Sequence, residues 1–238
     1  MTLECFKAYD IRGQFPDQLN EDVAYAIGIA YASFLGPERV VVGHDMRLSS
    51  PDLTKHLVEG LTDAGVEVTH IGQCGTEEIY FATEHFEMDG GIVVTASHNP
   101  KDYNGMKLVR EGSRPISGDT GLDDIRKMAE EWLAGDRSRS VSGKKGSVTP
   151  LAHRDAYLDL LMKHVDLSTL KPLKIVVNAG NGAAGPVLDG LADRLPFEFI
   201  RLHHEPDGSF PHGVQNPLLV DNRTPTADAI VAHEADLG

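Results

Sequence analysis

The sequence predicts an α/β fold made of two α/β domains with mixed sheets, the second of them truncated. Short β-branched runs alternate with helical segments along nearly the whole chain, the pattern of sheets covered by helices. The alternation breaks once, over residues 136–150, where Ser, Gly, Lys, Arg and Pro gather without apolar periodicity. That stretch predicts a linker between a domain at 1–135 and another at 151–238. No strand follows the last helical segment, although an α/β unit needs one to return to its sheet.

The elements follow in order. Asn20 is a helix cap with Glu21 and Asp22 in the first turn behind it, and Gly36-Pro37 stops that helix. Arg39 to Gly43 is a Val-rich strand. Ser50 with Pro51 opens a second helix carrying Leu53, Leu57 and Leu61 on one face, closed by Gly65. Val66 to Ile71 reads as a strand, Glu77 to Phe86 as a helix, Gly91 to Thr95 and Met106 to Val109 as strands, and Gly121 to Leu133 as a long helix. Beyond the linker come a helix from Arg154 to Val165, a strand from Lys174 to Asn178, a Gly-rich turn, a helix from Pro186 to Leu195 and a strand from Phe197 to Leu202. Pro206-Asp207-Gly208 is a turn signal. Thr224 caps a final helix with Pro225 at its first position, running to Glu234 or Asp236, with Gly238 as the terminating glycine. The missing return strand predicts a piece of a longer polypeptide.

Composition narrows the classes of partner. The net charge of −14 argues against nucleic acid or an anionic membrane as the main partner, while locally clustered cations still allow phosphates. Cys5 and Cys74 are too few for a disulfide framework and predict reduced thiols in a cytoplasmic protein. The most apolar stretch, Val23 to Leu35, is short of a membrane span and is broken by Gly28 and Ser33.

The segment from Gly90 to Pro100 carries the chemistry. Its apolar run is a buried strand that Pro100 and small residues end abruptly, leaving Ser97 on a loop past the strand's carboxyl end, where ligands of open α/β sheets collect. A serine hydroxyl needs activation to act as a nucleophile. His98 follows it, and Lys101, Lys107, Arg110 and Arg114 put four cations into fourteen residues against Asp102 and Glu111. Such a local positive field suits an oxygen that carries or receives phosphate. The same residues are also compatible with an ordinary Asn-Pro turn in which Ser97 bonds nearby backbone.

Thr95-Ala96-Ser97-His98-Asn99-Pro100, followed by Asp102 to Lys107, resembles the phosphoserine loop of the α-D-phosphohexomutases, the phosphomannomutases and phosphoglucomutases. Tyr9-Asp10-Ile11-Arg12-Gly13 and the run from Gly43 to Ser50 resemble that family's first two signatures. Gly75 to Phe81 and Asn178 to Pro186 are most similar to its bacterial phosphomannomutase branch, and the five motifs stand in family order over nearly the whole chain.

The resemblance implies that Ser97 carries a phosphate ester and exchanges it with a phosphosugar through a hexose 1,6-bisphosphate, interconverting hexose 6- and 1-phosphates for nucleotide-sugar synthesis. It implies Mg²⁺ bound through the phosphate on Ser97, with the carboxylate ligands on a loop beyond Gly238 and two further domains after it. It identifies Lys107 with a family lysine that moves a proton or neutralises charge, against the alternative of a solvated edge-strand lysine. Tyr9 and Arg12 match residues lining the family's phosphate cleft, and Asn99 in the serine loop is expected to bind phosphate or substrate with them. His98 either donates to the phosphoserine or is a turn histidine. Asp45 and Arg47 are expected as a structural ion pair beneath the site.

Gly180, Gly182 and Gly185 fit a dinucleotide fingerprint between a strand and a helix, with Glu205 at a plausible distance for a ribose contact. A nicotinamide dinucleotide-binding module is therefore the alternative. Two residues separate the strand from the first glycine, and too little chain follows for a second nucleotide-binding half, so a tight strand-to-helix turn is the simpler role. His203, His204 and His212 lack a recognised metal-ligand spacing and read as a solvated loop.

Overall fold

Residues 2–138, 143–214 and 216–238 are described by the computed structural model. They divide into two units that join in sequence at Ala152 and His153. In the first unit the strands are β1 (Ile11–Gln14), β2 (Arg39–His44), β3 (Glu67–Gln73), β4 (Gly90–Val94), β5 (Tyr103–Arg110), β6 (Arg114–Pro115) and β7 (Val148–Pro150). The helices are α1 (Glu21–Leu35), α2 (Ser50–Asp63), α3 (Thr76–His85) and α4 (Leu122–Leu133). The strands form one mixed sheet in the order β1-β5-β4-β2-β3-β7, with β6 beside β5. β2 runs parallel to both β3 and β4, while β5 runs antiparallel to β4 and β1.

The side-chain period of two decides which helix each strand residue meets. Val40, Val42, Val68, Ile92, Val94, Met106 and Leu108 join α1, α2 and α4 in one core that includes Leu53, Leu57 and Leu61. Full burial of each such leucine contributes roughly 1.5–3 kcal/mol. Val41 and Gly91 face the other way, toward Ile79 and Thr83 of α3. The sheet is thus covered on both faces, which is why β4 is buried at every position and reads as a continuous apolar run.

Local signals explain most helix ends. The Asn20 side chain accepts a hydrogen bond from the Val23 amide at 3.1 Å, and Gly36 closes α1 in the left-handed conformation. Ser49, one residue earlier than expected, is the cap position of α2. The polar composition of residues 136–150 predicts a linker. Residues 139–142 of it lie outside the described residues, while Val148–Pro150 pairs in parallel with β3 as an edge strand. Two β-formers, Val148 and Thr149, override the polar composition around them, and a terminal Pro is tolerated at an edge.

In the second unit the elements are α5 (Arg154–Met162), β8 (Lys174–Asn178), α6 (Ala184–Ala192), β9 (Glu198–Leu202) and α7 (Thr224–His233). β8 and β9 pair in parallel, and Leu237 makes a further parallel bridge to Ile175 on β8. Thr224 proves to be the first helical residue of α7, and Arg223 holds the cap position without a side-chain cap bond. The left-handed terminator is Glu234, not Gly238, because the chain must turn at once to bring the Asp236 amide to the Lys174 carbonyl. Among the described residues no helix is long and apolar enough to cross a membrane.

Candidate active site

β4 ends at Val94, and the chain continues through buried Thr95 and Ala96 before surfacing at Ser97. Ser97 has φ of +51°, a left-handed conformation that costs a non-glycine residue about 1 kcal/mol or more. Its hydroxyl is exposed, 3.3 Å from Nδ1 of His98. A strained backbone held against that cost needs outside support.

Arg47 supplies it. The residue is only 1% exposed, and its guanidinium donates to four main-chain oxygens of the loop. Nη1 reaches the carbonyls of Pro100 and Tyr103 at 2.6 and 2.9 Å, and Nη2 those of Ser97 and Asn99 at 2.8 and 2.6 Å. The planar fork of donors suits this fan of acceptors, and a lysine could not reproduce it. The expected ion pair beneath the loop is present, with Arg47 Nε 3.4 Å from Asp45 Oδ2. Burial pulls the Arg47 guanidinium below its ordinary pKa, and the Asp45 carboxylate opposes that effect.

Asp45 is itself satisfied by more than Arg47. Its Oδ1 accepts from the Arg47 amide at 2.9 Å and the Ser50 hydroxyl at 2.6 Å, and its Oδ2 accepts from the Thr95 hydroxyl at 2.7 Å. Thr95 Oγ1 in turn accepts from the Ser97 amide at 3.0 Å. Buried Asn104 donates to the hydroxyls of Ser49 and Ser50. A buried network of this kind specifies one loop conformation when every member is paired.

The strand register brings two cations toward the loop. Arg12 on β1 lies opposite Gly105 on β5, and Asp10 stands two residues earlier, just before the strand begins. Gly105 is required there, because a Cβ would fall 2.1 Å from the Ile11 carbonyl oxygen. One Nη of Arg12 donates to Asn99 Oδ1 at 2.5 Å and the other to Asp10 Oδ2 at 2.6 Å. Lys107 Nζ donates to the same Asp10 oxygen at 3.0 Å. Asp10 was not singled out from the sequence, although its i, i+2 spacing from Arg12 places both on one face of an extended segment. Burial, with Asp10 and Glu77 adding to it, raises the phenol of Tyr80 on α3 above its ordinary pKa.

The other expected residues fall as follows. Tyr9 is 81% exposed, its ring directed to solvent rather than packed against the loop. Of the four cations counted after Ser97, Arg110 and Arg114 are elsewhere. The antiparallel register sets Arg110 opposite Gly90, about 13 Å along β4 from Val94 and at the end remote from the serine, and both arginines pair with Glu111 there. A count along the chain cannot see that β5 reverses direction. Arg47 and Arg12 reach the loop directly, through its carbonyls and through Asn99, and Lys101 lies just after it in the chain. At the same end of the sheet, His44 Nδ1 lies 2.8 Å from the Asp45 carbonyl, and His70 Nδ1 lies 3.2 Å from the Gly72 amide. Burial, with nearby His44 adding to it, lowers the His70 pKa.

Among the described residues no three His, Cys, Asp or Glu side chains converge to hold a metal ion. The residues present therefore do not make up a magnesium site by themselves. In the second unit Gly180 and Asn181 turn through left-handed conformations. A Cβ on Gly185 would meet the His204 carbonyl oxygen at 2.1 Å, so that glycine serves close packing of turn against strand end. His203 and His212 stack with ring centroids 3.7 Å apart, and His204 pairs with Asp189 at 2.9 Å.

Residues 3–134 match the family described as phosphoglucomutase/phosphomannomutase, alpha/beta/alpha domain I, and residues 155–238 match its domain II. The chain is 55% identical to a phosphomannomutase of Salmonella montevideo, and 56% identical to a protein named phosphohexose mutases from Xanthomonas campestris pv. campestris. In both cases all of this chain aligns with 52% of the relative. It thus spans about half the length of the curated relatives it matches. A crystal structure of a phosphoglucomutase/phosphomannomutase family protein from Burkholderia thailandensis superposes with a TM-score of 0.88 at 36% identity, covering 99% of this chain and 51% of that one. The chain belongs to the phosphoglucomutase/phosphomannomutase family.

Proposed function

We propose that Ser97 is a phosphate carrier in a mutase that interconverts the 6- and 1-phosphates of a hexose, mannose first, in support of nucleotide-sugar synthesis in the cytoplasm. The observation that carries this reading is the presentation of one exposed hydroxyl in a left-handed backbone, gripped from below by buried Arg47. The names of the relatives, phosphomannomutase and phosphohexose mutases, support the same reading.

On this reading the phosphoserine Oγ–P bond breaks as a sugar hydroxyl forms its own O–P bond. The proton lost by that hydroxyl balances the serine oxygen, with Lys107 as the proposed carrier. The hexose 1,6-bisphosphate so formed returns its other phosphate to Ser97. Transfer of this kind depends on positioning and charge neutralisation more than on covalent chemistry. Arg12 and Asn99 would hold phosphate oxygens, Tyr9 would meet the sugar phosphate from its exposed position, and His98 would donate to the ester on Ser97. Phosphoserine carries nearly two negative charges, which suits Mg²⁺ as a counter-ion, with a phosphate oxygen as the ligand this chain offers. The 238 residues alone are proposed to accept phosphate without completing turnover, which an assay of mannose 1-phosphate conversion checks directly.

The test is exposure of the chain to radiolabelled glucose 1,6-bisphosphate, followed by mapping of the label. Label on Ser97 that disappears in Ser97→Ala is expected. Label at another residue, or undiminished label in the variant, rejects the assignment. The dinucleotide alternative predicts thermal stabilisation by NAD, because a ligand of the folded state must raise stability. The expected shift is zero.

A further inference from the structure

Arg12 and Lys107 converge on a single carboxylate oxygen, Oδ2 of Asp10, at 2.6 and 3.0 Å. The Asp10 side chain is 15% exposed, and the cations are 18% and 28% exposed, so the cluster lies at the surface and within reach of a ligand. Two cations share one anion, which leaves a positive charge to attract another. The guanidinium is also oriented: the second Nη of Arg12 is tied to Asn99, two residues from Ser97. Asp10 is held in turn by its own main chain, whose carbonyl accepts from the Lys7 amide at 2.8 Å.

A carboxylate and a phosphate ask for the same donors, and a phosphate offers more charge and more acceptor oxygens. We propose that Asp10 is an internal stand-in for phosphate: it keeps Arg12 and Lys107 assembled while the site is empty and yields them to a phosphate group on arrival. The inference rests on the reading of Ser97 as a phosphate carrier, and it makes Asp10 a positioning residue that acts through the two cations. Its cost is competition. Every phosphate that binds must displace a carboxylate, so the site's affinity is held below what the cations alone would give. The benefit is that the cations need no reorganisation when phosphate enters.

The sign of one measurement separates this role from a structural one. Inorganic phosphate is titrated into the 238-residue chain at fixed ionic strength, with binding read by calorimetry. Asp10→Asn, which keeps the shape and removes the charge, is expected to bind phosphate about threefold to tenfold more tightly, the range set by partly exposed ion pairs. Asp10→Glu keeps the charge and is expected to show no gain. Adding Arg12→Ala to Asp10→Asn is expected to abolish the gain. Weaker or unchanged binding in Asp10→Asn overturns the proposal, because an aspartate that orders the cations without competing with phosphate gives no gain when its charge is lost. A second measurement needs no variant. Carboxyl carbon resonances of the wild-type chain are followed by NMR during the phosphate titration, and the Asp10 signal is expected to move in step with binding. A stationary Asp10 signal in a chain that binds phosphate overturns the exchange. Label mapping to Ser97 is independent of both readouts, so the carrier reading can stand while this inference falls.

Discussion

Replacing Arg47 by alanine tests the central claim that a buried guanidinium supports the loop. The variant removes four charge-assisted bonds to the carbonyls of Ser97, Asn99, Pro100 and Tyr103 and strips Asp45 of its ionic partner. Breaking a buried ion pair by deleting one member costs roughly 3–5 kcal/mol. Asp45 keeps the Ser50 and Thr95 hydroxyls, and water can reach a surface loop, so the lower end applies, about 3 kcal/mol. With a urea m-value of roughly 2 kcal/mol/M for a unit of this size, the midpoint falls by about 1.5 M. Trp132 is the chain's one tryptophan and sits in α4 of the first unit, so its fluorescence follows that unit alone. The same variant is expected to take little or no label at Ser97. A midpoint shift under about 0.5 M, or labelling at the wild-type level, would refute the supporting role of Arg47.

Other outcomes follow from the same geometry. Ser97→Gly relieves the +51° backbone angle at a comparable cost in chain entropy, so stability changes by less than about 1 kcal/mol while labelling is abolished. A larger loss in a urea melt would mean the hydroxyl is structural. Gly105→Ala drives a Cβ into the Ile11 carbonyl and should cost about 1–3 kcal/mol and slow labelling, since β1 carries Arg12. Unimpaired labelling in that variant would show that the β1 register does not matter. The pKa of His70 is lowered in the folded state, so protons favour unfolding. Its contribution is complete above the ordinary value of 6.5 and is lost as pH falls below it. Urea midpoints at pH 7.5, 6.5 and 5.5 should therefore fall toward acid, and fall less in His70→Asn; equal falls in both would exonerate His70.

The sequence revealed what depends on local chemistry and hid what depends on pairing. Asn20 was legible because a cap acts on an amide three residues away. β4 was legible because a strand buried on both faces must be apolar throughout. Ser97 could be found from the abrupt end of that strand and from its motif. The reversed direction of β5 could not, and so Arg110 and Arg114 were credited to a field they do not join. β1 is four residues long with a glycine inside, too short for any periodicity to stand out, yet its register places Arg12, with Asp10 just ahead of it. The termination of α7 at Glu234 is set by pairing with β8, which overrides the ordinary preference for glycine.

The grip of Arg47 has a corollary for how this loop can change. It grasps main-chain oxygens, which all twenty amino acids possess, so its hold is blind to the side chains above it. A cysteine or an aspartate installed at position 97 would be seated by the same fork of nitrogens. The cradle is thus separable from its cargo, and the reactive atom can be swapped without rebuilding what presents it.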